Sequence, residues 1–286
     1  METRKCLLAQ VVFSLFVILL FCGFVKAETI NCTPIPSLPW TITTQGIHCL
    51  TSDLTTAMTY GNAVEIQTNN VVIDLNGHKL GGLAAGPGTL TIGIYAYRRQ
   101  NITIKNGTIR GFQYGVHLED ITPYTTSQGD VIEDIRADMN TIYGIEVFAR
   151  GNIIRNNQVV DTGGATFHNY AYGIMVWGPG NRVLSNDVYE TKEQSAGVAY
   201  GILVADGDGS VVLNNRVGNQ AFGAGSSVGI ALASSANVFV KSNTVSKMGW
   251  GILFDNSPGL YGDNLASGCT TSFSGGTPAG STNFSN

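Results

Sequence analysis

An all-β solenoid is the fold class this sequence predicts, and three observations predict it. Gly followed by Ile or Val recurs at Gly93, Gly115, Gly144, Gly173, Gly201, Gly229 and Gly251, at intervals of 22, 29, 29, 28, 28 and 22 residues. A second column, Gly107, Ile135, Asn157, Asn186, Asn215, Asn243 and Asn264, keeps pace with it at 28, 22, 29, 29, 28 and 21, with Ile135 the one departure from Asn or Gly. Between these marks, short runs of Val and Ile alternate with polar residues at the period of a strand, and nothing after residue 27 keeps a helical period. Two registers moving together indicate one supersecondary unit repeated along the chain. The shortest interval has room for about three strands of about five residues each. Such units stack strand on strand into a single-stranded parallel β-helix, here of about seven to eight coils, whose inward side chains merge into one core.

Residues 1–27 read as a secretory signal peptide. Arg4 and Lys5 precede an apolar stretch from Val11 to Phe24, and Val25-Lys26-Ala27 offers small residues before a cut at Glu28. The other reading, an uncleaved anchor, asks Ser14 and Gly23 to sit inside a span that is already short. Export makes the chain secreted or periplasmic, with no membrane contact once the leader is removed. That removal takes away Arg4, Lys5 and Lys26 against Glu2, leaving 13 basic and 19 acidic residues and a formal charge of −6. An acidic chain without a basic stripe is a poor nucleic-acid binder. About 259 residues remain, enough for one elongated domain, read as a monomer.

Residues 28–68 read as an N-terminal cap, made irregular by Pro34, Pro36 and Pro39. Cys32 and Cys49 lie 17 residues apart within it. An oxidising compartment would favour bridging them, for roughly 3 kcal/mol of loop entropy, the alternative being two thiols in a packed cap. The β-helix is expected over 69–265, and the Gly, Ser and Thr-rich stretch 266–286 as a C-terminal tail. Tyr114, Tyr143, Tyr172, Tyr200 and Trp250 each precede a column Gly and should stack as an aromatic ladder, while the Asn column should hydrogen-bond along a turn.

The alternation, the Asn column and the Gly-Ile starts, as in NITIKNGTIRGFQYGVHL at 101–118, resemble the right-handed parallel β-helix repeat proteins. These form the pectin-lyase-like class, which includes NosD-type exported proteins and many polysaccharide enzymes. The segment from Cys32 to Asp53, with NVVIDLNGHKLGG at 70–82, is similar to the front end of exported members of that class. The resemblance covers roughly residues 60 to 265 and is specific for fold, not for reaction. Neither the aspartate-pair motifs of polygalacturonase-like hydrolases nor the Asp-His and Arg-Pro signatures of pectate lyases are present, so no activity carries over to a residue.

Candidate site residues follow from alternation. If Ile and Val after each Gly point inward, the residues between them form two outward columns. One is Tyr95, His117, Glu146, Met175, Leu203, Ala231 and Leu253; the other is Tyr97, Glu119, Phe148, Trp177, Ala205, Ala233 and Asp255. Polar and aromatic groups crowd the first half of both. Neighbouring coils about 4.8 Å apart let His117 and Glu146 touch and set Glu119 and Glu146 on a diagonal of about 7 to 8 Å. That separation suits an inverting hydrolysis. The catalytic candidates are His117, Glu119, Glu146 and Arg150, with Arg150 countering a uronate charge as lyases and epimerases require. Tyr95, Tyr97, Arg99, Phe148 and Trp177 are the substrate-binding candidates. Long connections at 122–128 and before Gly173, Gly201 and Gly229 would wall this face. No metal site is spaced in the sequence, and Asp206-Gly-Asp208-Gly matches a calcium turn by composition alone. Two functions fit. One is an exported β-helix that binds a polysaccharide or oligosaccharide and cleaves or epimerises it as a lyase, epimerase or glycoside hydrolase. The other is a noncatalytic β-helix scaffold or binding protein, NosD-like or at a cell surface.

Overall fold

In the computed structural model the described residues are 31–194, 197–220, 226–280 and 283–285. The expected leader at 1–27 lies outside them. The chain winds as a parallel β-helix with three faces. Its first face is a ten-stranded sheet whose neighbours in sequence are neighbours in space, from Trp40–Ile42 and Tyr60–Ile66 to Trp250–Asp255 and Thr271–Ser274. The second face starts each time after a corner, for example at Val131, Ile153–Arg155 and Arg182–Leu184. The third follows at Gln158–Gly163, Asp187–Lys192 and Arg216–Gly218. The long strands Ile102–Arg110 and Val131–Asp138 run through both.

Pairing extends beyond 69–265 at both ends. Trp40–Ile42 pairs with Val64–Ile66, Gly46–Cys49 with Val71–Asp74, and Thr271, Phe273 and Ser274 with Trp250, Ile252 and Leu253. The stacking therefore reaches into the stretches read as cap and tail, where prolines and small residues hide the alternation. Cys32 and Cys49 are joined by a disulfide with Cα atoms 5.9 Å apart.

The inward set is aliphatic and closed to solvent. Val116, Ile145, Ile174, Ile202 and Ile230 are fully buried, one per coil, each contributing about 1.5–3 kcal/mol of apolar transfer. The Gly before each of them has a steric cause. A Cβ on Gly144 would stand 2.6 Å from the Gly173 carbonyl oxygen and 2.5 Å from Val159 Cγ1, so only a bare Cα allows the coils to close here.

Two polar ladders satisfy the corners. In the first, the N–H of Ile135 donates to Asn157 Oδ1 at 3.0 Å, and Asn157, Asn186, Asn215 and Asn243 each give both backbone N–H and side-chain Nδ2 to the next Asn Oδ1. The sequence shows this ladder. The second is chemically mixed, which hides it. Ile102 N–H donates to Asp130 Oδ1 (2.8 Å), Asp130 N–H to Asn152 Oδ1 (2.9 Å), Asn152 N–H to Asn181 Oδ1 (2.9 Å) and Asn181 N–H to Ser210 Oγ (3.0 Å). The aromatic ladder stacks Tyr114 on Tyr143, Tyr143 on Tyr172 and Tyr172 on Tyr200 at 4.5, 4.8 and 5.3 Å. Val228 then takes the next position, so Trp250 pairs with Val228 and stands apart from the tyrosines.

Candidate functional site

The outward columns fall in the register that alternation predicts. Tyr95, His117, Glu146, Met175, Leu203, Ala231 and Leu253 are successive strand partners, as are Tyr97, Glu119, Phe148, Trp177, Ala205, Ala233 and Asp255. His117 is the centre. Its Nδ1 lies 2.6 Å from Glu146 Oε2, a contact whose direction departs from an ideal hydrogen bond, and its Nε2 lies 3.5 Å from Glu119 Oε2. The Tyr95 hydroxyl donates to that same Glu119 oxygen at 2.6 Å. The imidazole therefore occupies the space between the two carboxylates.

Exposure separates the imidazole and the two carboxylates. Glu146 is 2 % exposed and His117 9 %, whereas the Glu119 side chain is 37 % exposed. Burial pushes the Glu146 carboxyl above its ordinary range, and its contact with His117 pulls the other way without cancelling it. Burial and the bond to Glu119 raise the Tyr95 phenol, keeping it protonated as a donor. Tyr114 sets its ring edge-on to His117 at a centroid distance of 4.8 Å. Glu146 and Tyr114 thus fix the imidazole from the floor; Nε2 is itself closed to solvent, and the Glu119 carboxylate is the part of the cluster that faces the open side. Sequence reasoning assigned Tyr114 to the ladder alone, because its reach across Gly115 to His117 breaks strict alternation.

The aromatic candidates divide. Phe148 and Trp177 stack on one another at 5.2 Å and 12°, so their facing surfaces are taken, and the Trp177 indole N–H donates to Asp206 Oδ2 at 2.8 Å. Tyr97 is exposed. Arg150 turns away at the corner, where Nε and Nη2 both donate to Gln128 Oε1 at 3.1 and 2.9 Å. Arg99 is half-buried, with an Nε that meets no hydrogen-bond partner. Neither arginine is brought into the His117 cluster by a hydrogen bond or ion pair of the structure. Asp208 Oδ1 accepts the Ala236 N–H at 2.6 Å, so both aspartates of the calcium-like turn serve contacts between coils. Among the described residues no group of three His, Cys, Asp or Glu is placed to hold a metal ion.

Connections flank this face on both sides. Residues 122–128 follow its strand Tyr114–Glu119 and are pinned by Asp120, whose carboxylate accepts the N–H groups of Ile121, Thr126 and Ser127 at 2.8–2.9 Å. Burial works to raise that carboxyl, but those donors and Arg98 hold it below the usual range. On the other side the connection before Tyr172 carries His168 and an exposed Tyr170, whose ring continues toward Tyr172 at 6.5 Å.

The family model for the right handed beta helix region matches residues 92–277. The chain belongs to this right-handed β-helix family. Among solved β-helix structures it is similar to the full-length tailspike protein 2 of the Escherichia coli O157:H7 bacteriophage CAB120, with a TM-score of 0.60 and 15% identity over 86% of this chain and 34% of the tailspike. It is also similar to the periplasmic alginate epimerase AlgG, with a TM-score of 0.50 and 15% identity over 80% of this chain and 57% of the epimerase. For DFA-IIIase from Arthrobacter chlorophenolicus A6 the TM-score is 0.50 and the identity 10%, over 80% of this chain and 66% of that one. The chain spans about a third of the tailspike's length, and at these identities the likeness is one of fold. Comparison with curated proteins finds no match.

Proposed function

We propose that this β-helix acts outside the cytoplasm on an extended polysaccharide lying along its first face, and that His117, Glu119, Glu146 and Tyr95 move protons on it. The single observation that carries this reading is the imidazole held between two carboxylates, with Nδ1 on Glu146 and Nε2 toward Glu119 and the Tyr95 hydroxyl. Glu146 orients the ring, the exposed Glu119 carboxylate takes a proton from a sugar carbon or a water with the buried imidazole behind it, and the Tyr95 hydroxyl returns one to the leaving oxygen or the opposite face and is re-protonated by Glu119. That division of labour suits β-elimination or epimerisation better than inverting hydrolysis, because the imidazole fills the place a water would need between the two acids. Tyr97 offers an open ring to a sugar, and Phe148 and Trp177 offer the edge of their stack. The family's fold, shared with an alginate epimerase, is compatible with this assignment.

The test is to incubate the chain beginning at Glu28 with alginate, pectin and neutral glycans. Unsaturated uronate is followed by ultraviolet absorbance, epimerisation by proton exchange from solvent, and hydrolysis by reducing ends. Turnover of an acidic polymer is expected, with His117→Ala and Glu146→Gln each lowering it about 100-fold or more. Turnover undiminished in both variants, or no turnover of any polymer, overturns the catalytic reading. The near-complete burial of His117 and Glu146 favours, as the second reading, a noncatalytic glycan-binding protein, which retention of a polymer without turnover would support.

A further inference from the structure

Around the corner from the His117 cluster lies a broad open concavity of about 680 Å³, lined by Gln100, Gln128, Arg150 and Asp208 and floored by Gly129, Gly151 and Gly180. Seven successive coils turn this corner through one residue in the left-handed region. It is Asn at Asn70, Asn101 and Asn237 (φ 58°, 57° and 56°) and Gly at Gly129, Gly151, Gly180 and Gly209 (φ 70°, 64°, 70° and 70°). These positions lie on one line. Asn70 N–H donates to Gln100 O, Asn101 N–H to Gln128 O, Gly151 N–H to Pro179 O, Gly180 N–H to Asp208 O and Gly209 N–H to Ala236 O, and Gln128 bridges to Arg150. Asn satisfies the same turn in the flanking coils, so the backbone does not by itself call for Gly in the middle four. Nor does crowding, since a Cβ on Gly129, Gly151 or Gly209 would meet nothing within 4 Å and one on Gly180 nothing nearer than 3.9 Å. What the glycines provide is space.

Polar side chains form the wall of that space. Gln128 Nε2 reaches Gln100 Oε1 at 3.5 Å, and the same Gln128 takes Nε and Nη2 of Arg150 on its Oε1. A guanidinium held by a neutral amide keeps its full charge and its remaining N–H groups for another partner. No carboxylate pairs with Arg150 among the described residues, and Asp208, on the same wall, gives Oδ1 to Ala236. We propose that this corner is a second binding track, parallel to the coil axis, for an extended acidic glycan, with Arg150 receiving its carboxylate or sulfate and the glycine floor letting the sugar backbone approach the coil. The track rests on the carbohydrate reading of the chain, not on any chemistry at His117.

The structure also provides a substitution that blocks the track while keeping the turn. Gly151→Asn with Gly180→Asn installs the residue that already makes this turn at 70, 101 and 237, and fills the floor. Affinity electrophoresis and calorimetry with oligogalacturonate, a sulfated galactan and a neutral glucan would be run on the wild type, this double variant and Arg150→Gln, with thermal melting as the control for folding. Expected is retention by at least one acidic polymer and not by the glucan. Arg150→Gln should weaken it about tenfold or more, the range of a lost charge-assisted contact, and the double variant should do the same with an unchanged melting temperature. Equal binding of neutral and acidic polymers, no binding of either acidic polymer, or wild-type affinity in both Arg150→Gln and the double variant overturns the proposal. Measuring the same retention in Glu146→Gln separates the two readings. Loss of turnover with retention intact leaves the track standing, and turnover in a protein whose corner binds nothing removes the track alone.

Discussion

Replacing Asp130 by Asn should make the β-helix more stable at neutral pH, by an amount that depends on pH in a defined way. Asp130 is 1 % exposed and takes the place of an asparagine in the second ladder, accepting the Ile102 N–H on Oδ1 and the Ser127 hydroxyl on Oδ2 at 3.1 Å. Burial drives its carboxyl from 3.8 up to about 7, against the pull of those two donors. An acid whose pKa is raised by folding favours the folded state while protonated, and that advantage is lost as pH rises from its unfolded value through the folded one. The cost is near zero below pH 4 and reaches about 4 kcal/mol at pH 8. Asn keeps the acceptor for Ile102, and the Ser127 hydroxyl can rotate to accept from the new amide. The difference in unfolding free energy between Asp130→Asn and the wild type, from denaturant titrations at pH 4, 6 and 8, should therefore grow in the variant's favour as pH rises. A difference that is flat with pH, or a variant less stable at pH 8, would refute the assignment of a buried, high-pKa carboxyl.

Asn186→Ala removes an amide that accepts from Asn157 and donates to Ile154 O and Asn215 Oδ1; each buried group left unpaired costs about 1–3 kcal/mol, read as a drop in denaturant midpoint. Gly144→Ala forces a Cβ to within 2.6 Å of the Gly173 carbonyl oxygen and should cost about 1–3 kcal/mol by overpacking, again by denaturation. Cys49→Ser opens the 17-residue loop closed by Cys32–Cys49 and should lower stability by about 3 kcal/mol, with reduction of the wild type giving a matching loss. The raised carboxyl of Glu146 predicts that the advantage of Glu146→Gln over the wild type in stability also increases with pH, in the same titrations.

How far the site could be read depends on where each residue stands relative to a strand. Inside the first face, the column glycines fix the direction of Val116, Ile145 and Ile174, and alternation then puts Tyr95, His117, Glu119 and Glu146 together on the outside. Arg150 and Arg99 were assigned by extending the same alternation past Phe148 and Tyr97, where the strands end. Period two holds only along a pleated strand, so Arg150 goes to Gln128 at the corner instead. The Asn ladder was visible because one letter repeats. The ladder through Asp130, Asn152, Asn181 and Ser210 was not, because three different side chains serve as the same acceptor. Trp250 carried the sequence mark of the tyrosine stack without a ring before it, since Val228 precedes Gly229. The glycine corner gave no signal by itself; it became meaningful only when its φ angles showed that Asn would have served.

The first ladder also has a sense of travel. From Asn157 to Asn264, every side-chain amide hands its proton forward to the following coil, until Asn264 reaches Asn283 at 3.4 Å. A duplicated unit spliced into the middle would find a donor behind it and an acceptor ahead, so the rod can be lengthened there without leaving a valence unfilled. At its far terminus, Asn283 would need to be carried along as the closing piece.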